Sequence, residues 1–155
     1  MRTIVAAMLP LFAASCGPSA TPCTTCMNVQ GTYEVVVEGR SADSSTCDQL
    51  YISGGTAEVE LYQTGSELSI PLLFESEGGM NGTLFNDDTA RFGPKNAKVG
   101  NTYPAVYAHV VLNGAFTGEE ADRRFSGSLM ASTSLDGKSC ALSTPVRMTK
   151  KKTAP

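Results

Sequence analysis

The chain has 155 residues, of which 12 are basic and 15 acidic, so its formal net charge is −3 at pH 7. This mildly acidic balance gives no reason to expect a nucleic-acid partner. The length is that of one domain, with enough chain to bury a sizeable core.

The first fifteen residues have the composition of an export signal. Arg2 provides a positive start, an apolar run from Ile4 to Ala14 follows, and only Pro10 interrupts it. Small residues come next, as at the cleavage site of a secretory signal peptide. The run is shorter than the ~20 apolar residues that a membrane-spanning helix needs.

The segment Ala13-Ala14-Ser15-Cys16 resembles the processing site of bacterial lipoprotein signals, although those sites usually carry leucine where this chain has Ala13. The resemblance implies that residues 1–15 are removed and that Cys16 becomes the lipidated first residue, anchored in the bilayer by palmitate-like acyl chains. Gly17 stands where an acidic residue often retains lipoproteins at the inner membrane. In a Gram-negative cell we therefore expect the outer membrane, facing the periplasm or the surface. The alternative is an ordinary cleaved signal with a cysteine nearby.

Three regions follow the signal. Residues 16–28 are rich in glycine, proline, serine and threonine and hold almost nothing apolar, so they predict a flexible tether. Residues 29–149 are expected to form the folded domain. Residues 150–155 begin with three lysines and predict a polar tail.

Period-two alternation of apolar and polar residues predicts β-strands through the folded domain. Tyr51-Ile52 predicts a further short strand, and Asn86-Asp87-Asp88 predicts a hairpin turn between residues 82–85 and 90–92. Pro71 falls on the outward face of its strand, which predicts an edge or a bulge there. Residues 94–104 predict a long loop. The expected inward-facing residues are Tyr33, Val35, Val37, Ala57, Val59, Leu61, Leu68, Ile70, Leu72, Val106, Ala108, Val110, Leu112, Phe125, Gly127, Leu129, Ala131, Cys140, Leu142, Thr144, Val146 and Met148.

About eight strands separated by turn residues, with no convincing helix after the signal, predict an all-β fold. Short connections favour an antiparallel meander, closed as a small barrel or folded as a sandwich. In a closed meander of eight strands, the first and the last strand are antiparallel neighbours.

The five cysteines are an odd number for an exported protein. Lipidation of Cys16 would leave four, for which three pairings are possible, and an oxidising envelope favours pairing. Cys47 follows the first strand and Cys140 begins the last, so both lie at the same end of a closed barrel. This topology favours the pairs Cys47–Cys140 and Cys23–Cys26.

No pattern in the sequence predicts a catalytic, cofactor-binding or metal site. Cys23-Thr24-Thr25-Cys26 has redox spacing but no helix behind it to lower a thiol pKa, so a structural disulfide is favoured. Zinc needs about four cysteine or histidine ligands. His109, the one histidine, lies on the outward face of its strand with no nucleophile or acid placed beside it. Asp87 and Asp88 lack the ligand run of a calcium loop.

Gly31-Thr32-Tyr33 at the start of the first strand resembles the Gly-x-Trp start of lipocalin-like and avidin-like barrels, with Tyr33 in place of the tryptophan that seals the barrel floor. The resemblance implies an eight-stranded barrel that could hold one small apolar ligand. The leading functional hypothesis is a non-enzymatic, membrane-tethered lipoprotein that serves envelope structure or binds an envelope protein. A lipocalin-like carrier is the alternative, followed by a thiol–disulfide oxidoreductase using Cys23 and Cys26.

Overall fold

The protein is an eight-stranded antiparallel barrel. The computed structural model describes residues 20–42, 47–74, 78–99 and 106–152. A single turn of 3₁₀-helix, Glu120–Asp122, lies between the strand that ends at Thr117 and the strand that begins at Arg124. No helix in the described ranges is long and apolar enough to cross a membrane. The strands are β1 Gly31–Val37, β2 Arg40–Ser41, β3 Tyr51–Ile52, β4 Gly55–Thr64, β5 Glu67–Phe74, β6 Gly78–Leu84, β7 Thr89–Val99, β8 Val106–Thr117, β9 Arg124–Leu135 and β10 Lys138–Lys150.

Strands β1 and β4 to β10 form the barrel wall as a meander, and each strand pairs antiparallel with its neighbours. The wall closes because β1 pairs with β10 on one side, from Tyr33↔Lys150 to Val37↔Val146, and with β4 on the other. The predicted all-β meander is therefore confirmed, and the barrel is the correct one of its two forms. Strands β2 and β3 form a small separate hairpin between β1 and β4.

The predicted alternation places the core inside the barrel. On β10, the five residues expected to face inward are all buried, and the inward positions of β8 are buried as well. We call the end of the barrel where β1 begins the lower end. Large side chains fill the interior there, and three aromatic contacts link Tyr33, Phe116, Phe125 and Phe92, with ring centroids 5.0 to 6.4 Å apart. Edge-to-face and tilted rings at such distances stabilise a core beyond the area they bury.

One prediction about the wall is wrong. Residues 94–99 are not a loop but the second half of β7, because the pairing with β8 shifts by one residue between Phe92 and Lys95. The shift reverses the phase of the alternation: the inward residues are Ala90 and Phe92 before it and Ala97 and Val99 after it. Ala57 lies on the inner face, opposite Val35 of β1, but is exposed because it is near the upper end of β4. Residues 100–104 of the predicted loop, and the side chain of Leu72, lie outside the described part of the chain.

Candidate functional site

The N-terminal segment, residues 20–30, lies across the lower end of the barrel. The backbone N–H of Cys23 donates to Leu84 O at 3.0 Å, and that of Asn86 donates to Thr21 O at 3.1 Å. Val29 is fully buried and accepts a hydrogen bond from the Tyr33 hydroxyl at 2.7 Å. The prediction of a flexible tether is therefore wrong for residues 20–28, whose backbone groups bind the barrel although their side chains are mostly polar. Residues 16–19 of the predicted tether lie outside the described residues.

Gln63 at the lower end of β4 fixes this segment from inside. Its side-chain oxygen accepts from the backbone N–H of Val29 at 2.8 Å, and its amide nitrogen donates to Met27 O and Gly65 O at 3.0 and 2.9 Å. One side chain thus forms hydrogen bonds with backbone groups of the N-terminal segment and of the turn that follows β4. Since backbone groups left unpaired away from water are costly, Gln63 holds the segment in one position.

Arg123 closes the lower end beside the segment. Its side chain is buried, and one terminal nitrogen donates to Gly118 O, whereas its Nε has no hydrogen-bond partner among the described residues. Burial raises the pKa of the Tyr33 hydroxyl to about 12, and the Arg123 guanidinium acts in the opposite direction. Tyr33 therefore stays neutral and donates to Val29 at physiological pH. Its place on the barrel floor is the one that the Gly-x-Trp resemblance implied.

The Cys23–Cys26 disulfide is present within the N-terminal segment, with the two Cα atoms 5.2 Å apart. Cys23 is 8% exposed and packs against the core. The next described element after the pair is strand β1, so no helix N-terminus, which usually lowers the pKa of a redox-active cysteine, adjoins the pair. The geometry is that of a small covalent loop attached to the barrel.

The upper end is covered by residues 38–42 and 47–54, the described parts of the connection from β1 to β4. Leu50 of this connection is fully buried, and Ile52 is 7% exposed, so both extend the barrel core upward. The Cys47–Cys140 disulfide is present and joins the connection to the start of β10, with Cα atoms 5.6 Å apart. The Thr144 hydroxyl of β10 adds a hydrogen bond to Glu38 O at 2.5 Å. The disulfide therefore spans the seam where the barrel closes, as predicted.

His109 lies on the outer wall, where its register partners are Asn96 on β7 and Ser132 on β9. It lines a surface groove of about 430 Å³ that runs over β7 to β10. Among the described residues that line this groove, Arg91 is the other ionisable one, and Val111 and Met130 are apolar. None of the described residues that line the groove is a carboxylate, the group that orients a catalytic histidine.

A second groove, of about 640 Å³, continues the first toward the lower end and shares Arg91 and Asn113 with it. Ala20, the first described residue of the N-terminal segment, lies at its far end. The described chain therefore begins at the lower end of this outer groove.

The acidic turn residues also have structural roles. Asp87 accepts hydrogen bonds from the hydroxyl and from the backbone N–H of Thr89, and these hold the pKa of its carboxyl below the usual value. Asp88 adopts a left-handed backbone conformation with φ of 63°, which aspartate tolerates better than most residues. Within the described ranges, no group of three or more histidine, cysteine or acidic residues could hold a metal ion.

No family model, no curated protein and no solved structure matches this chain.

Three residues that position the ends of the barrel were not identified from the sequence: Gln63, Arg123 and Leu50. The alternation contained a signal for the first two. Gln63 continues the inward series of Val59 and Leu61, and Arg123 precedes the inward Phe125 by two residues. A polar residue in an inward position needs a buried partner, so each marks a place where the barrel contacts another segment. Leu50 stands alone in a polar connection and gives no such signal.

Proposed function

We propose that the protein is an exported lipoprotein, anchored through Cys16, whose barrel is an interaction module of the cell envelope and not an enzyme. The observation that carries the proposal is the pairing of the cysteines. Cys23, Cys26, Cys47 and Cys140 form two disulfides, which leaves Cys16 as the odd cysteine of the five. Two disulfides are typical of an oxidising compartment, and a lipid on Cys16 accounts for the remaining thiol.

The attachment of the N-terminal segment indicates which end of the barrel the proposed anchor would hold near the membrane. Cys16 precedes Ala20 by four residues, which span at most about 14 Å when extended. The backbone hydrogen bonds of Thr21 and Cys23 fix the chain at the lower end. A lipid on Cys16 would thus hold the lower end toward the bilayer and present the upper end, with its Cys47–Cys140 disulfide, to other envelope components. In a Gram-negative cell the proposed membrane is the outer one.

The interior supports an interaction module better than a carrier. The lower half is filled by aromatic rings, and both ends are covered by buried residues, with Val29 below and Leu50 above. One observation favours a carrier as the second candidate, namely the small inward residues Ala97 and Ala108 in the upper half. A ligand of that kind would be small and apolar, since the buried residues around it are mostly apolar.

The proposal is tested by expressing the full sequence in a bacterial host and measuring intact masses of the protein released from its membrane. We expect cleavage before Cys16, an added mass of a diacylglyceryl group and an acyl chain, and two disulfides. The Cys16→Ala variant should lose the lipid mass and leave the membrane fraction, whereas the matched Cys23→Ala/Cys26→Ala variant should keep both. An unmodified Cys16 in the mature protein would overturn the anchor, and a retained apolar ligand in the native mass spectrum would favour the carrier.

A further inference from the structure

The seam between β4 and β5 is paired over only part of its length. Three register pairs join the strands near the lower end, from Thr64↔Glu67 to Tyr62↔Ser69. Above them, residues 55–61 of β4 continue upward and pair with β1 alone. Strand β5 pairs instead with β6 as far as Phe74↔Gly78. The upper half of β4 therefore has one bonded edge and one edge that no described strand covers.

The turn between the two strands determines which backbone groups lie on the uncovered edge. Gly65 and Ser66 form a two-residue turn, with Gly65 at φ of 62°, so Thr64 and Glu67 are a hydrogen-bonded pair. In an antiparallel ladder such pairs alternate along the strand. The N–H and C=O groups of Glu60, Glu58 and Thr56 therefore point toward the β5 side. We call residues 56–60 with this side uncovered the β4 edge.

Pro71 explains why the ladder stops. Continuing the register of Tyr62↔Ser69 would place Pro71 opposite Glu60. Proline has no N–H to donate at that position, and strands containing it usually end or bulge there. The pairing of β5 with β6 shifts between Ile70 and Phe74, as a bulge requires. The prediction of an edge or bulge at Pro71 is confirmed.

The side chains along the β4 edge alternate in chemistry. On the outer face, Glu58 and Glu60 are exposed, and Glu34 of β1 lies directly opposite Glu58. Lys151 pairs with Glu58, which leaves an excess of negative charge among these three carboxylates. On the inner face, Ala57 is exposed and Val59 is 4% exposed. A strand added at this edge would meet carboxylates at every second residue and apolar side chains at the residues between.

We propose that the β4 edge binds an extended segment of a partner protein, in which basic and apolar residues alternate, by addition of a strand to the barrel wall. The backbone groups of residues 56, 58 and 60 would supply the hydrogen bonds, and the alternating side chains would supply the specificity. The edge lies on the upper half of the barrel, so it faces away from the proposed anchor.

A second copy of the chain fits this edge poorly. In a two-fold dimer the β4 edges would pair with each other, because such an interface uses the same surface twice. Glu58 and Glu60 of one copy would then lie beside the same carboxylates of the other. Like charges directly opposite on paired strands destabilise the pairing. A basic partner strand avoids this repulsion and neutralises the excess charge.

This inference depends on the barrel being an interaction module and names its surface, but it does not depend on the lipid. The test uses the full chain with both disulfides intact and a synthetic heptapeptide of alternating lysine and valine, with blocked ends. We expect the peptide to bind and to slow exchange of the amide hydrogens of Thr56, Glu58 and Glu60 by at least about tenfold, as followed by NMR. The same peptide methylated at every second backbone nitrogen, on its bonding edge, should not bind.

Charge variants test the chemistry of the partner. The Glu58→Gln/Glu60→Gln variant should bind the peptide about three- to tenfold more weakly at low salt, as expected for the loss of two exposed ion pairs. The matched control Glu119→Gln/Asp136→Asn removes the same charge from exposed turns elsewhere and should bind as the unchanged protein does.

Several results would overturn the proposal. Equal binding of a peptide with the same composition but with its lysines grouped would show that charge alone is recognised. Protection of amides outside residues 56–60 would place the site elsewhere. Protection of the same three amides without peptide, together with a concentration-dependent dimer, would assign the edge to a second copy. Each of these results leaves the Cys16 lipid test unaffected, so failure of this proposal is distinguishable from failure of the anchor.

Discussion

The two disulfides should differ greatly in their contribution to stability, although both join pairs at similar Cα distances. The Cys47–Cys140 bond closes a loop of 93 residues and the Cys23–Cys26 bond closes one of 3. In the chain-entropy relation these loops correspond to about 4.6 and about 1.6 kcal/mol at 25 °C. Removing the first bond should therefore cost about 3 kcal/mol more than removing the second. Cys140 is fully buried, so its replacement by alanine also leaves a small cavity that adds to the difference.

The assay is urea unfolding of two double variants, Cys47→Ala/Cys140→Ala and Cys23→Ala/Cys26→Ala, followed by far-ultraviolet circular dichroism because the chain lacks tryptophan. Free energies of unfolding are extrapolated to water and compared with those of the unchanged protein, and the slope is checked for a change in the unfolded state. If both variants lose the same free energy, or the short loop costs more, the loop-length reasoning is refuted.

Three further perturbations test the packing. Burial raises the hydroxyl pKa of Tyr33 to about 12, so the stability that the neutral hydroxyl contributes is complete below pH 10. The free energy of unfolding should then fall by at most about 1.4 kcal/mol per pH unit between pH 10 and 12. In denaturant titrations, the Tyr33→Phe variant should lack this pH dependence. Gln63→Ala should free the N-terminal segment for cleavage in limited proteolysis at a cost of about 1–3 kcal/mol, whereas the exposed Gln30→Ala should not. Gly79→Ala would place its Cβ 2.1 Å from Ile70 O and should lower the thermal midpoint, whereas Gly55→Ala meets nothing within 4 Å and should leave it unchanged or raise it.

The strands of the barrel could be predicted because each carries its own alternation. On β10 and β8 the inward and outward residues differ sharply in polarity, so each strand identifies its buried face without reference to its neighbours. The disulfide pairs followed from topology, since closing a meander of eight strands brings Cys47 and Cys140 to one end. Local pattern and global fold agree at these positions.

The N-terminal segment could not be predicted because its contacts use backbone groups. Residues 20–28 hold few apolar side chains, and composition correctly indicates that they cannot form a core of their own. They are fixed instead by carbonyl and amide groups that meet Gln63 and the end of β6. Every residue has such groups, so only the folded barrel decides which of them find partners.

The second half of β7 was missed for a different reason. Its alternation is present, but the bulge between Phe92 and Lys95 reverses its phase. If a constant period of two is assumed, the alternation breaks at Gly93-Pro94, and the strand is predicted to end there. Bulges insert a residue without ending the sheet, so a strand can continue beyond a glycine–proline pair with its faces exchanged.

Pro71 gives the most direct test of why the β4–β5 ladder stops above Tyr62↔Ser69. If the missing N–H of Pro71 ends the ladder, then Pro71→Thr restores a donor opposite Glu60 and should extend the β4–β5 pairing upward. We expect slower amide exchange at Glu60 and weaker binding of the alternating lysine–valine peptide, because β5 would then occupy the β4 edge. The variant Pro145→Thr is the matched control, since Pro145 is an exposed residue of β10, which β1 separates from β4. If Pro71→Thr leaves the Glu60 amide as exposed as before, the bulge between Ile70 and Phe74, and not the proline nitrogen, keeps the seam apart.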